Sequence, residues 1–124
     1  MLGRHFSVEE ANAALGWVTE RIERLRSARE RLTDEEVREA LTEAAPTNGG
    51  GEPGRSVSEA FLDMRAALAD LQEQQIVLRD LDRGLVDFPH LREGREVYLC
   101  WVEGEDEIGY WHDLDSGYAG RQPL

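Results

Sequence analysis

The residues best suited to chemistry in this sequence surround His112, in the C-terminal stretch EIGYWHDLDSGYAGRQPL at 107–124. Carboxylates with one imidazole suit a hard or borderline divalent cation, so the candidate metal ligands are His112, Asp115 and Glu107. Because side chains alternate along a strand, Asp113 points to the face opposite His112. Asp115 lies in the following turn and can fold back, whereas Glu107 has the opposite parity. The candidate cofactor is therefore a divalent metal ion held by part of this acidic cluster.

The simpler interpretation of the same stretch is structural. A solvated turn can carry the acidic residues, and His112 can cap a neighbouring strand or hydrogen-bond a carboxylate. Short motifs of this kind occur often by chance, and the sequence contains neither a paired CxxC nor an HExxH. The structural interpretation is therefore favoured over the metal site.

Arg121, in the tail SGYAGRQPL, is the candidate anion-binding residue. A guanidinium there could hold a carboxylate or phosphate in two-point contact. With Tyr110 and Trp111, from the strand that precedes the tail, Arg121 forms the candidate ligand-binding set. The favoured alternative is that Arg121 pairs with a carboxylate of the nearby acidic hairpin and fixes the tail over the sheet.

Cys100 is the single cysteine of the chain, so no intrachain disulfide can form. Nucleophilic catalysis would need a base beside it in a partly open, electropositive setting, and His112 is the nearest candidate. A single cysteine in the middle of an apolar strand is more often a small hydrophobic residue without reactivity.

Helices are predicted to position these residues from the first two thirds of the chain. Three capping boxes mark helix starts, namely Ser7 with Glu10, Thr33 with Glu36 and Ser56 with Glu59. We expect helix 1 at 7–32, a short helix at 33–45, a flexible Gly- and Pro-rich connector at 46–55 and a long helix at 56–83. Apolar residues repeat every 3.5 residues along both long helices, which predicts a coiled-coil-like antiparallel hairpin.

From residue 84 the apolar period changes to two, which predicts β structure at 84–124. The predicted strands are LVDF at 85–88, stopped by Pro89, EVYLCWV at 96–102 and IGYWHDL at 108–114. Glu93–Gly94 is the predicted turn between the first two of these strands. Between the second and third, a three-residue loop at 104–106 would set Leu99 opposite Trp111, whereas a two-residue loop at Gly104–Glu105 would set Val97 opposite His112. The fold class is therefore α+β, with a three-stranded antiparallel meander at the open end of the helical hairpin.

Composition limits the partners. The chain has 124 residues, enough for one domain, with 26 acidic residues against 14 basic ones and a formal charge of -12. Such a charge repels phosphate backbones and anionic membrane surfaces, so neither nucleic acid nor a membrane is expected as a partner. No signal-like core and no apolar run near the ~18 residues of a membrane span are present. We therefore expect a cytoplasmic location.

Several motifs carry a family resemblance: FSVEEANAAL at 6–15, GLVDFP at 84–89, GREVYLCW at 94–101 and the stretch at 107–124. Together they resemble a family of uncharacterised bacterial proteins that is known only as a domain of unknown function. The resemblance spans essentially the whole chain and is most specific over the last 41 residues, 84–124. It implies a helical hairpin with a small C-terminal β element, and it implies no particular activity.

The function expected from the sequence is a binding or scaffolding module. Tyr98, Cys100 and Val102 make the second face of the central strand apolar, so that face needs a cover: the C-terminal tail, a second subunit or a ligand. A homo-oligomer is favoured because long helical hairpins often self-associate, and an unidentified protein partner is a further candidate. The alternative is a metal-dependent or small-molecule-binding enzyme with its site around His112.

Overall fold

Three helices and a five-stranded antiparallel sheet make up residues 3–42 and 58–124, the parts of the chain that the computed structural model describes. The helices are α1 Val8–Arg29, α2 Asp34–Thr42 and α3 Glu59–Glu73, and the strands are β1 Val77–Asp80, β2 Leu85–Arg92, β3 Arg95–Val102, β4 Tyr110–His112 and β5 Gln122–Pro123. The α+β class is confirmed, and the predicted connector at 46–55 lies outside the described residues. No described helix is both long enough and apolar enough to cross a bilayer.

The first two helices begin where their capping boxes predict. The Ser7 hydroxyl accepts from the Glu10 backbone N–H, and the Glu10 carboxylate accepts from the Ser7 N–H. Thr33 and Glu36 make the same reciprocal pair at the start of α2. These side chains satisfy N–H groups that have no partner within the helix, which fixes both start points.

Helix α3 is shorter than predicted at both ends. It begins after Ser58, whose hydroxyl accepts from the Phe61 backbone N–H, whereas Ser56 lies outside the described residues. The predicted end at 83 is wrong, because Gln75 adopts a left-handed conformation with φ 63° and the Ile76 N–H donates to the Leu71 carbonyl. This pattern closes the helix as a Schellman motif. The chain then enters a strand.

Helices α1 and α3 form the predicted antiparallel hairpin in a shortened version. Arg21 of α1 pairs with Asp70 at 3.2 Å, and Arg31, two residues past the end of α1, pairs with Asp63 at 3.5 Å. The residue numbers of the aspartates in α3 fall as those of the arginines rise, so the two helices run in opposite directions.

The sheet has two strands that the sequence did not predict. Its strand order is β1-β2-β3-β4-β5, and each strand pairs antiparallel with the next. The outer strands are β1, from the segment predicted as the end of the long helix, and β5, from the predicted tail. The three-stranded meander is therefore the centre of a five-stranded sheet.

Pro89 does not stop β2, which continues to Arg92. The pairing of β1 covers β2 only from Leu85 to Asp87, so the missing N–H of Pro89 interrupts no hydrogen bond to β1. At that position the Pro89 carbonyl instead accepts from the Phe6 backbone N–H at 2.7 Å. The N-terminal segment therefore adjoins β2 where β1 no longer pairs with it.

One tight turn and one longer connection set the register that the site depends on. Glu93 and Gly94 have φ values of 54° and 80°, as a tight two-residue turn requires, and they place Arg92 opposite Arg95. The preferred register between β3 and β4 is confirmed, since Leu99 lies opposite Trp111. The predicted three-residue loop and the predicted strand at 108–114 are wrong, because the connection spans 103–109 and β4 covers only Tyr110–His112. The alternative register, with Val97 opposite His112, is wrong.

The helices cover one face of the sheet, where Val86, Phe88, Val97, Leu99 and Trp111 join the hydrophobic core. Segments that flank the strands are hydrogen-bonded to α1 near both of its ends. The Asn12 side chain accepts from the Ile108 backbone N–H, and the Arg26 guanidinium donates to the Leu81 carbonyl after β1. The opposite face, called the outer face below, carries Asp87, Tyr98, Cys100, Tyr110 and His112.

Candidate functional site

Three neighbouring strands bring Asp87, Cys100 and His112 together on the outer face. Asp87 lies directly opposite Cys100, and Tyr98 lies directly opposite His112. One ligand atom from each member of this triad lies within 4.8 Å of the others. Within the described ranges, no other group of three or more histidine, cysteine or acidic side chains is close enough to hold a metal ion. All three side chains are buried.

The hydrogen bonds of His112 define its tautomer. The Nδ1 atom lies 2.7 Å from the Asp113 carbonyl oxygen, which can only accept, so Nδ1 carries a proton. The Nε2 atom lies 3.0 Å from Oδ1 of Asp87, and this bond also needs one proton between the two atoms. Asp87 and His112 therefore share a proton as a pair with no net charge.

Arg79 holds the other oxygen of Asp87. Its Nε donates to Oδ2 of Asp87 at 2.8 Å, and its guanidinium lies 5.2 Å from the centre of the Tyr98 ring. Burial lowers the pKa of Arg79, but the hydrogen bond and charge attraction from Asp87 outweigh it, so the pKa of Arg79 lies above its ordinary value. Arg79 therefore stays charged beside the triad.

Cys100 is a protonated thiol in this setting. Desolvation by burial, followed by repulsion from the Asp87 carboxylate, raises the pKa of Cys100 to about 12. Hydrogen bonding of the thiol to Asp87 also raises this pKa. Such a thiol is a poor nucleophile at neutral pH, and both nitrogens of His112 are already engaged. The geometry therefore gives no support to cysteine catalysis.

The connection between β4 and β5, called the C-terminal loop (residues 113–121), returns over the outer face. Arg121 donates through Nη2 to both carboxylate oxygens of Glu105 at 2.8 Å and to the Cys100 carbonyl at 3.3 Å. Its guanidinium lies 4.0 Å from the centre of the Tyr110 ring and 4.8 Å from that of Tyr118. The predicted pairing of Arg121 with a carboxylate of the acidic hairpin is observed. The tail is therefore one cover of this face.

The predicted metal ligands are not brought together. His112 belongs to the triad, but Asp115 and Glu107 are exposed and form no part of it. The physical reason is the strand pairing, which directs His112 across the sheet toward β2 rather than back toward the turn.

The predicted ligand-binding residues divide between the two faces of the sheet. Trp111 lies opposite Leu99 and belongs to the core on the helix side, with Arg92 over its ring at 4.6 Å. Tyr110 and Arg121 lie together on the outer face. The structure therefore brings two of the three residues into contact and separates the third.

Asp87 and Arg79 are the site residues that the sequence interpretation missed. Asp87 is a charged residue inside the apolar run LVDF, and the predicted Glu93–Gly94 turn already places it opposite Cys100. Combining that register with the preferred register of the next hairpin would have indicated the triad. Arg79 could not be found this way, because its segment was predicted to be helical.

The chain is thus an α+β protein, and its sheet carries a buried polar cluster beneath the C-terminal loop. The three side chains of this cluster are close enough together to hold a metal ion. The chain belongs to the uncharacterised conserved protein family DUF2203, whose model matches residues 4–124. The resemblance inferred from the C-terminal motifs is thereby confirmed. Searches of curated proteins and of solved structures gave no match.

Proposed function

We propose that this protein binds one divalent metal ion of the zinc class, with Asp87, Cys100 and His112 as its protein ligands. The observation that carries the proposal is the convergence of a carboxylate oxygen, a thiol sulfur and an imidazole nitrogen within 4.8 Å of one another. A borderline cation such as Zn²⁺ accepts this mixture of oxygen, sulfur and nitrogen ligands.

The outer contacts of the triad orient the right atoms for coordination. The Asp113 carbonyl occupies Nδ1 of His112, which leaves Nε2 as the ligand atom. Arg79 occupies Oδ2 of Asp87, which leaves Oδ1. Metal-bound histidines and carboxylates are commonly held in this way by a second hydrogen bond on the atom that does not bind the metal.

The ligand atoms must move by up to about 1 Å to admit the ion, because they now lie within 4.8 Å of one another. Zinc bond lengths of ~2.0–2.3 Å in a tetrahedral arrangement put neighbouring ligand atoms about 3.3–3.8 Å apart. Asp87 Oδ1 and His112 Nε2 are 3.0 Å apart, so they must separate by a few tenths of an ångström.

Charge is conserved when the ion enters. In the metal-free triad one proton lies between Asp87 and His112, and a second lies on the Cys100 thiol. Replacing these two protons with a divalent cation leaves the total charge of the cluster unchanged. The buried site therefore takes up the ion without gaining net charge, which limits the cost of desolvation.

Three protein ligands leave one position of a tetrahedral ion for water or another ligand, as in catalytic zinc sites. A reduced Cys100 is required, which favours the reducing cytoplasm as the location. Self-association stays a prediction. The apolar outer face that motivated it is covered in part by the C-terminal loop, through the contact of Arg121 with the Cys100 carbonyl.

Metal competition against a chromophoric chelator tests the proposal. Purified untagged protein should bind one Zn²⁺ per chain, and Cys100→Ala and His112→Gln should each raise the Kd at least ~100-fold. His5→Gln is the matched control, since His5 also contacts a carboxylate, Glu96, at 2.9 Å but lies outside the triad. The variant Asp115→Asn should likewise bind as the wild type does.

Circular dichroism establishes that each variant is folded before its affinity is compared. If His112→Gln does not fold, Cys100→Ala decides the test, because it removes only the sulfur. Zinc binding that is absent in the wild type, or unchanged in Cys100→Ala, would contradict the proposal.

A further inference from the structure

A cleft of about 670 Å³ lies beside β1, separate from the triad itself. Its volume falls within the range of small-molecule sites, roughly 300–1,000 Å³. Leucines from α2, α3, β1, the turn after it and the C-terminal loop form much of its wall, namely Leu41, Leu68, Leu78, Leu81 and Leu114. Asp87, Cys100 and His112 do not line it, so it is a second site rather than an extension of the metal centre.

Arg79 is the cationic residue among the described residues that line this cleft. Its side chain is 42% exposed although its Nε is bonded to Asp87. A guanidinium has five N–H donors, so donors remain for a group in the cleft. Tyr98, which also lines the cleft, lies beside the guanidinium.

The Asp87 carboxylate is divided between two partners. Its Oδ1 lies 3.0 Å from Nε2 of His112, and its Oδ2 accepts from Nε of Arg79 at 2.8 Å. Arg79 therefore contacts Asp87 through one nitrogen and one oxygen only. In a chain with a formal charge of -12, its guanidinium is the cationic point of this cleft wall.

The remaining polar lining limits the charge of a ligand. Glu96 lines the cleft too, and its carboxylate is bound by His5 Nε2 at 2.9 Å. A second anionic group on a ligand would be repelled by Glu96, whereas Gln72 and Gln75 offer neutral amide groups. The lining therefore fits an apolar body with a single oxyanion group.

We propose that this cleft binds a small organic anion, whose carboxylate or phosphate pairs with Arg79 and whose apolar part lies against the leucines. The guanidinium supplies a charge-assisted hydrogen bond, and the apolar wall supplies surface burial. This site shares Arg79 with the proposed metal centre through its contact to Asp87, but none of the three metal ligands lines it, and it goes beyond metal binding.

Isothermal titration of EDTA-treated protein tests the inference without any metal. Sodium octanoate is the probe with an apolar chain, inorganic phosphate is the probe without one, and 1-octanol lacks the charge. Octanoate should bind, Arg79→Gln should raise its Kd at least ~10-fold, and 1-octanol and phosphate should each bind at least ~10-fold more weakly. Arg24→Gln, the matched charge change on α1 outside the cleft, should have no effect.

Leu114→Asp provides a second variant, because Leu114 lines the cleft and is 48% exposed, so its replacement should not disturb the fold. The added carboxylate should weaken octanoate binding by a similar factor. Octanoate binding that is absent, or that is equal in wild type, Arg79→Gln and Leu114→Asp, would overturn the inference. Phosphate binding as tightly as octanoate would overturn the role of the apolar wall. The zinc affinity of the wild-type protein is measured separately. Loss of octanoate binding with zinc binding intact would reject the cleft site alone, and the reverse result would reject the metal site alone.

Discussion

His112 Nε2 lies 3.0 Å from Asp87 Oδ1, and each residue is only 1% exposed. The two residues are 25 positions apart in the chain and come from β4 and β2, on either side of β3. A buried charged pair is costly unless every polar atom has a partner, and here Arg79 and the Asp113 carbonyl complete the set. The outer face is therefore organised around a polar cluster rather than an apolar one.

The first prediction concerns the stability of this pair in the metal-free protein. Asp87→Ala and His112→Ala should each lower the free energy of unfolding by about 3–5 kcal/mol, because each leaves a buried partner uncompensated. The double variant should cost less than the sum by about 0.5–3 kcal/mol. Urea denaturation measures all four proteins. The exposed pair Arg31 and Asp63 is the control, with an expected coupling below about 1 kcal/mol.

The second prediction concerns alkaline pH. In the unfolded metal-free chain Cys100 loses its proton near its ordinary pKa of 9.0, whereas burial raises the pKa in the folded protein to about 12. Between these values the folded state binds more protons, so stability must fall as pH rises. The contribution of Cys100 to this fall in the free energy of unfolding is at most about 1.4 kcal/mol per pH unit.

Urea denaturation from about pH 8 to about pH 10.5 measures the contribution of Cys100 to the free energy of unfolding as the difference between wild type and Cys100→Ala. The decline should be shallower in the variant, which lacks the thiol. Parallel curves for the two proteins would show that Cys100 does not carry the raised pKa.

The third prediction concerns the protons that metal binding displaces. Zinc should release the proton shared by Asp87 and His112 and the proton of Cys100, two in total. Calorimetry in buffers of different ionisation enthalpy counts them. Cys100→Ala, where it still binds, should release one proton, and equal release from both proteins would argue against a thiolate ligand.

The fourth prediction concerns the C-terminal loop. Arg121→Ala should lower the free energy of unfolding by about 1.5–3 kcal/mol, because it removes a largely buried, charge-assisted contact to Glu105. Deleting residues 121–124 should lower the Tm as well. Arg24→Ala, an exposed arginine 4.0 Å from Asp70, should change stability by less than about 0.5 kcal/mol. An unchanged Tm in the truncated protein would mean that the loop is not held by Arg121.

The local signals in the sequence predicted the starts of α1 and α2 and the turn at Glu93–Gly94, because capping and turn chemistry depend on neighbouring residues. The end of α3 could not be predicted in the same way. Gln75 takes the left-handed position that glycine usually occupies, and Leu78 continues the apolar spacing although it belongs to a strand. The apolar pattern there fits both the 3.6-residue period of a helix and the two-residue period of a strand. The pairing of β1 with β2 decides in favour of the strand.

The candidate site shows the same division between local and tertiary information. His112 was found from its residue type, but its predicted partner Asp115 was a neighbour in sequence. The actual partner, Asp87, depends on two strand registers taken together. Arg79 depends on the presence of β1, which no local pattern indicated.

The most direct test of the metal centre is the absorption spectrum of the cobalt-substituted protein. Thiolate coordination of Co²⁺ gives a sulfur-to-metal charge-transfer band, which reports Cys100 as a ligand. We predict that this band saturates at one Co²⁺ per chain and disappears in Cys100→Ala, while His5→Gln keeps it. A folded wild-type protein that shows no such band with Co²⁺ in excess would contradict the proposal.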